Sequence, residues 1–198
     1  LFRQSLETKL QEMQTASVIP DAISFAGNGE PTMHPDFAEI IDITIALRNK
    51  YFPQSKIAVL SNATMLHKKE IIAALKKINL NILKLDAGTE DTFRKLNNPP
   101  INISLSEIVE NIKHFKSGVI IQTLFVRGHY KNDFIDNTTK KEVELWLNHL
   151  KEIKPELVMI YSIARATPAK GLERVEGEDL NKIAESVRKI GIKAEVYY

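Results

Sequence analysis

Cysteine is absent from the 198 residues, which excludes disulfides, thiolate nucleophiles and thiolate-bound metal within this chain. Also missing is any run of about 18 apolar residues, so no membrane-spanning helix is expected. No basic stretch followed by an apolar one opens the chain, and the expectation is a cytoplasmic protein without membrane contact. Neither sign of charge dominates: 27 basic against 25 acidic side chains leave +2. They are spread without a basic block, so strong electrostatic capture of nucleic acid is not expected. The five histidines show no His-x3-His spacing, which argues against a histidine-held metal. What remains is ordinary globular material, 43% apolar and 26% charged. A chain of this size buries roughly 70% of its unfolded surface, enough for one sizeable core, and 1–198 is read as one domain.

Leu1 is not a start methionine, and Leu6, Leu10 and Met13 recur on one face of a helix that already runs from Leu1 to Gln14. The expectation is an N-terminally truncated chain. From Asp21 onward, short β-type runs alternate with helical patterns. Strands are expected at Ala22–Ala26, Lys56–Leu60, Asn81–Leu85, Val119–Val126, Leu157–Ile163 and Lys193–Tyr197, with helices at 35–50, 67–78, 105–116, 139–153 and 178–190. Ser104 is placed to cap the third of these helices, and Gly118 and Gly191 to end two others in a left-handed residue. Near-continuous apolar strands suit a parallel sheet covered on both faces. The fold class is therefore α/β, either doubly wound or a (β/α) barrel. In both, chemistry sits just after the strands. The segments to question are Gly27–Thr32, Ser61–Thr64, Asp86–Thr89, Arg127–Tyr130 and Ser162–Gly171.

Gly27-Asn28-Gly29-Glu30-Pro31-Thr32 follows a strand, and its glycines free the backbone to approach a ligand. A dinucleotide fingerprint would need a third glycine and an immediate helix. Pro31 and Pro35 delay the helix, with Pro35 expected at its first position. Phe25 to Thr32 resembles the Gly-Gly-Glu-Pro segment of radical S-adenosylmethionine (SAM) enzymes, with Asn28 in place of the first glycine. Val59-Leu60-Ser61-Asn62-Ala63-Thr64 resembles the end of their third strand, Lys84-Leu85-Asp86-Ala87 the end of their fourth, and Ile121–Val126 their fifth strand. Asp91–Pro99 is similar to the segment after the fourth strand in the branch that includes the wyosine-tRNA synthesis enzymes. The resemblance implies an incomplete (β/α)6 TIM-like barrel lacking its first strand and cluster loop.

The same resemblance implies SAM and a 4Fe–4S cluster as cofactors. Cluster ligands of the form Cys-x3-Cys-x2-Cys would lie upstream of Leu1, since soft thiolates are required and this chain has none. It further implies reductive cleavage of SAM to a 5′-deoxyadenosyl radical, hydrogen abstraction from a substrate, and an electron donor such as flavodoxin or ferredoxin. By carry-over, Asn28, Gly29 and Glu30 meet the SAM amino group. Ser61 and Asn62 lie near the ribose and methionine end, Lys84, Asp86 and Gln122 face the ligand, and Ser162 and Ile163 flank adenine.

Other readings of these residues stay open. Ser61 and Asn62 suit a cap or Asx turn, Lys84 and Asp86 a structural ion pair, and Gln122 a partner for neighbouring backbone. Arg127 reads as a solvated loop arginine, and Trp146 as helix core. Two other functions compete: a cluster-free SAM-binding or interaction module, and a Schiff-base aldolase using Lys84. An open sheet edge would favour a dimer. The substrate, whether small molecule, protein or RNA, is not written in the sequence, and no catalytic or metal-ligating residue is singled out.

Overall fold

The computed structural model describes residues 1–27, 29–131, 133–164 and 171–198. Six strands form one sheet in the order β1-β2-β3-β4-β7-β9, and three more form a second sheet in the order β6-β5-β8. By their contacts the residues fall into two compact units, Leu1–Ser61 with Met65–Ile82, and Asn62–Thr64 with Leu83–Tyr198.

The first unit opens with α1 (Phe2–Thr15), followed by β1 (Ala22–Phe25), a 3-10 turn (Pro31–Met33), α2 (Phe37–Tyr51), β2 (Lys56–Ser61) and α3 (Lys69–Leu75). The apolar stripe of α1 packs on α2: Leu10, Leu47 and Phe52 are buried together, with Leu6, Met13 and Ile23 against them. Burying each such side chain is worth about 1.5–3 kcal/mol, which is why this stripe fixes the helix pair. β1 runs parallel to β2, with Ala22 opposite Lys56 and Phe25 opposite Val59. The second helix does not start at Pro35. Pro31 leads the 3-10 turn instead, and the Asp36 amide donates to Nδ1 of His34 at 3.1 Å, making a separate turn before α2.

β3 (Leu80–Lys84) carries the chain into the second unit, through α4 (Glu90–Asn97), α5 (Leu105–Lys113), β4 (Val119–Leu124), β5 (Val126–Tyr130) and β6 (Asp133–Asp136). Then come α6 (Lys140–Ile153), β7 (Leu157–Tyr161), β8 (Leu172–Arg174), α7 (Gly177–Lys189) and β9 (Ala194–Tyr197). β4 pairs parallel with β7, and β7 with β9. Ser104 and Glu107 form a reciprocal capping box at the start of α5. Gly191 directly follows the Ile190 C-cap of α7 with φ 82°, the left-handed conformation expected there. By contrast, α5 already ends at its His114 C-cap, so that Gly118, φ 72°, stands just before β4 and does not close the helix. Ile121, Val158 and Ile160 are fully buried on the strands of this unit.

The expected strand Val119–Val126 is in fact two. Phe125 interrupts it, buried and edge-on to Trp146 with ring centroids 5.3 Å apart. Beyond it, the Val126 amide donates to Oδ1 of Asn137 at 2.8 Å, and Nδ2 of Asn137 donates to the carbonyls of Leu124 and Asp86, both at 2.7 Å. One buried amide side chain thus satisfies the backbone where the parallel ladder stops and an antiparallel one begins. Gly128 fits there because β8 passes close: a Cβ would lie 2.2 Å from the carbonyl oxygen of Gly171.

Candidate functional site

The loop after β1 belongs to the first unit. Gly27 and Gly29 have φ of 136° and 125°, a region closed to side-chain-bearing residues. The Gly29 amide donates to the Gly27 carbonyl at 2.8 Å. Among the described residues, and apart from the chain neighbours, no atom lies within 4 Å of where either Cβ would stand. Asn28, between them, lies outside the described residues. Glu30 takes an extended conformation and caps the 3-10 turn. Its carboxylate accepts from the Thr32 amide at 3.1 Å, from the Thr32 hydroxyl, and from Ser61 Oγ at 2.7 Å. Ser61 and Thr32 are both 2% exposed. The end of β2 therefore aims the acidic group of the β1 loop, a role for Ser61 that the carry-over did not include.

In the second unit, Asn62 makes the Asx turn that its residue type suggests. Its Oδ1 accepts from the Thr64 amide at 3.0 Å and the Thr64 hydroxyl at 2.6 Å, around Ala63 at φ 64°. Asn62 and Thr64 also line a cavity of about 240 Å³, whose other polar walls are Lys84, Asp86 and Asn97. Phe93, Leu96, Ile108 and Leu124 close it on the apolar side. Lys84 Nζ stands 3.1 Å from Asp86 Oδ2, with the two side chains 33% and 1% exposed. Asp86 also accepts from the Leu124 amide at 2.8 Å and from Asn97 Nδ2 at 2.7 Å. A carboxylate taken so completely from water needs such partners. The Asp86 charge raises the lysine pKa above its ordinary value, against the opposing effect of burial. The Tyr161 phenol is also pushed up, chiefly by burial.

What holds Asp86 in place comes from β4, from α6 and from the residues just before α6. Asn137 fixes the Asp86 carbonyl. Trp146 Nε1 and Thr123 Oγ1 donate to the Leu85 carbonyl at 3.1 and 2.9 Å. The buried Glu142 carboxylate accepts from the amides of Gly88 and Thr89 at 2.8 and 3.2 Å and from the hydroxyls of Thr89 and Thr92. Acidic caps at a helix start are favourable, and here one caps α4 from another helix. Asn97, Asn137 and Glu142 were not found by sequence reasoning. Only the helical pattern around Trp146 pointed to α6, and it named core packing alone.

The remaining residues are placed as follows. Gln122 is half-buried on β4 and its carbonyl accepts from the Leu85 amide at 3.1 Å. Ser162 Oγ donates to the Phe125 carbonyl at 2.7 Å and accepts from the Val175 amide at 2.8 Å, so its side chain is spent on the backbone. Ile163 is half-buried beside it. Arg127 is not on a solvated loop but on β5, ion-paired with Asp179 of α7 at 3.2 Å. Of the segment after β7, residues 165–170 lie outside the described residues. Among the described residues, no group of three or more His, Cys, Asp or Glu side chains is placed to hold a metal ion, and no helix is long and apolar enough to cross a membrane.

Solved structures share this fold. A domain of pyruvate-formate lyase-activating enzyme from Bacteroides vulgatus matches with a TM-score of 0.66 and 17% identity, over 89% of this chain and 98% of that one. A radical SAM methyltransferase from Sphaerobacter thermophilus matches at 0.69 and 16% identity, over 96% and 55%. Streptococcus suis SuiB bound to S-adenosylmethionine matches at 0.64 and 16% identity, over 99% and 43%. In sequence, a UPF0026 protein of Synechocystis is 28% identical over 152 residues, 75% of this chain and 52% of that protein. A protein named GTPase Obg from Brachyspira hyodysenteriae is 26% identical over 165 residues, 82% of this chain and 23% of that protein. The chain thus spans about half the length, or less, of these curated relatives. The family model described as the radical SAM superfamily matches residues 5–140, well over half of the sequence, and the chain belongs to that superfamily.

Proposed function

We propose that this chain is the SAM-binding part of a radical SAM enzyme, one whose cluster thiolates come from outside these 198 residues. The observation that carries the reading is the loop Gly27–Thr32, set within the segment that matches the family model. Its bare glycine backbone leaves room for close approach by a ligand, and Glu30 holds a carboxylate oriented by Thr32 and Ser61. Exposed backbone groups beside a fixed negative charge are the complement of an ammonium such as that of the methionine moiety. The residues present fit SAM. They do not fit a 4Fe–4S cluster, because no thiolate is available. Bound SAM is the source of the 5′-deoxyadenosyl group in such enzymes, and this chain's share of the work is to bind and orient it. The same reading carries a cytoplasmic protein and a reducing partner for the whole enzyme.

Against the aldolase alternative stands the protonation of Lys84. A Schiff-base lysine needs a lowered pKa, whereas Asp86 raises this one. The test is calorimetric titration of the chain with SAM. Saturable binding, competed by S-adenosylhomocysteine and weakened by Glu30→Gln, is expected. Absence of binding at millimolar SAM would overturn the proposal.

A further inference from the structure

The strands of the second unit have one covered face and one more open face. On β7, Val158 and Ile160 are fully buried, whereas the alternating Met159 and Tyr161 are half-buried. β9 lies beside β7 with Glu195 opposite Met159 and Tyr197 opposite Tyr161, and residues opposite each other on paired strands share a face. Tyr161 in turn stands opposite Leu124 of β4, which lines the cavity of Lys84 and Asp86. The row Leu124, Tyr161, Tyr197 therefore leads from that cavity to the edge strand. The Tyr161 phenol, pushed up chiefly by burial, also feels the charges of Lys84 and Asp86, as a group on their side of the sheet does.

A parallel sheet covered on both faces carries apolar residues at such positions. Here β9 carries a carboxylate and a phenol instead. Glu195 is exposed and Tyr197 is 44% exposed. The Tyr197 hydroxyl donates to Oε2 of Glu195 at 2.6 Å, which orients the carboxylate and leaves most of its accepting capacity open. None of the ion pairs among the described residues includes Glu195. Lys84 is already neutralised by Asp86 at 3.1 Å. The uncompensated charge of this face, among the described residues, is thus negative and stands beside two tyrosine rings. That arrangement complements a cationic nitrogen, whose N–H groups the carboxylate accepts and whose charge the ring faces attract. A neutral group gains less from it, and an anion is repelled. We propose that Glu195, Tyr197 and Tyr161 form a binding site for a cationic nitrogen of the substrate, an alkylammonium or a guanidinium. The name substrate rests on the SAM-binding reading, and the site itself does not.

The test is an NMR titration of the whole chain with n-butylguanidinium and with n-butylurea, a neutral molecule of the same shape. The guanidinium is expected to bind about 3- to 30-fold more tightly, the combined range of an exposed ion pair and exposed cation–ring contacts. It should also shift the ring resonances of Tyr161 and Tyr197, which the urea does not. The preference should fall in Glu195→Gln and approach one when Tyr197→Leu is added. Equal binding of the two probes, no binding of either, or a preference that both substitutions leave intact overturns the assignment. Should the variants not fold, the unaltered chain decides: a guanidinium-specific shift of both tyrosines supports the site, and its absence overturns it. SAM in a parallel titration separates the two ideas. SAM binding unchanged in Glu195→Gln supports a separate substrate site, whereas SAM binding lost in that variant overturns the substrate assignment. SAM binding without a guanidinium preference overturns this proposal and keeps the SAM reading. A guanidinium preference without SAM binding keeps the site and overturns the SAM reading.

Discussion

Replacing Asp86 with Asn changes one atom and reverses one hydrogen-bonding role at a buried, triply bonded point of the candidate site. The native carboxylate accepts from the Leu124 amide, from Asn97 Nδ2 and from Lys84 Nζ at 2.8, 2.7 and 3.1 Å, and its side chain is 1% exposed. An amide of the same volume keeps its oxygen on Leu124 and turns its NH2 toward two donors, or flips and strands the Leu124 amide. Either way a buried donor is left unpaired, at about 1–3 kcal/mol. Breaking a buried ion pair from one side costs about 3–5 kcal/mol, but Lys84 is one-third exposed and turns to water, so only the lower part of that applies. The expected loss is about 2–4 kcal/mol for the unit that contains it. Trp146, the single tryptophan, donates to the carbonyl next to Asp86 and is 1% exposed, so its fluorescence in a urea titration reports this unfolding locally. With a slope of about 2 kcal/mol/M, the midpoint should fall by roughly 1–2 M. A loss below about 1 kcal/mol would refute the claim that Asp86 is a triply held buried charge.

Gly88→Ala should destabilise by about 1–3 kcal/mol in the same titration, because its Cβ would stand 2.2 Å from the Glu142 carbonyl oxygen and 2.8 Å from the Trp146 amide, both backbone of α6. Lys84 should be among the last lysines to deprotonate in a nitrogen-detected NMR titration. Its pKa is raised above the unfolded value, so its contribution to stability is fully present below the ordinary lysine range and fades only as pH rises through the higher folded value. A Lys84 that titrates below the bulk lysines would contradict the ion pair. Gly29→Ala, at φ 125°, should cost about 1–3 kcal/mol of backbone strain and weaken SAM binding, measured by thermal unfolding and calorimetry.

The elements that follow one rule were legible in the sequence. Helix α5 has an apolar stripe and a Ser104–Glu107 cap, and both point to the same answer. The second sheet was not legible, because Val119 to Val126 reads as an unbroken apolar run. Its division depends on Asn137, a residue 11 positions beyond Val126 that satisfies the backbone at the break. The candidate site divides the same way. Glu30, in the loop after β1, and Lys84, the last residue of β3, were visible because they stand in recognisable segments at strand ends. Ser61 as a partner of Glu30, Asn97 on Asp86 and Glu142 on the start of α4 are tertiary contacts between residues 31, 11 and 50 or more positions apart. No local pattern announces them. Asn97 is the clearest case, since the sequence placed it only within the family-like segment Asp91–Pro99, where no helix was expected.

The central claim is that this chain orients SAM for an enzyme that cleaves it once thiolate ligands are supplied. Its most direct test is 5′-deoxyadenosine formation by the product of the whole gene, reconstituted anaerobically with iron and sulfide and reduced with dithionite. The account predicts 5′-deoxyadenosine from SAM, abolished when the cysteines of an upstream Cys-x3-Cys-x2-Cys are replaced. A whole-gene product that yields none, or a gene encoding no such cysteines, would contradict it.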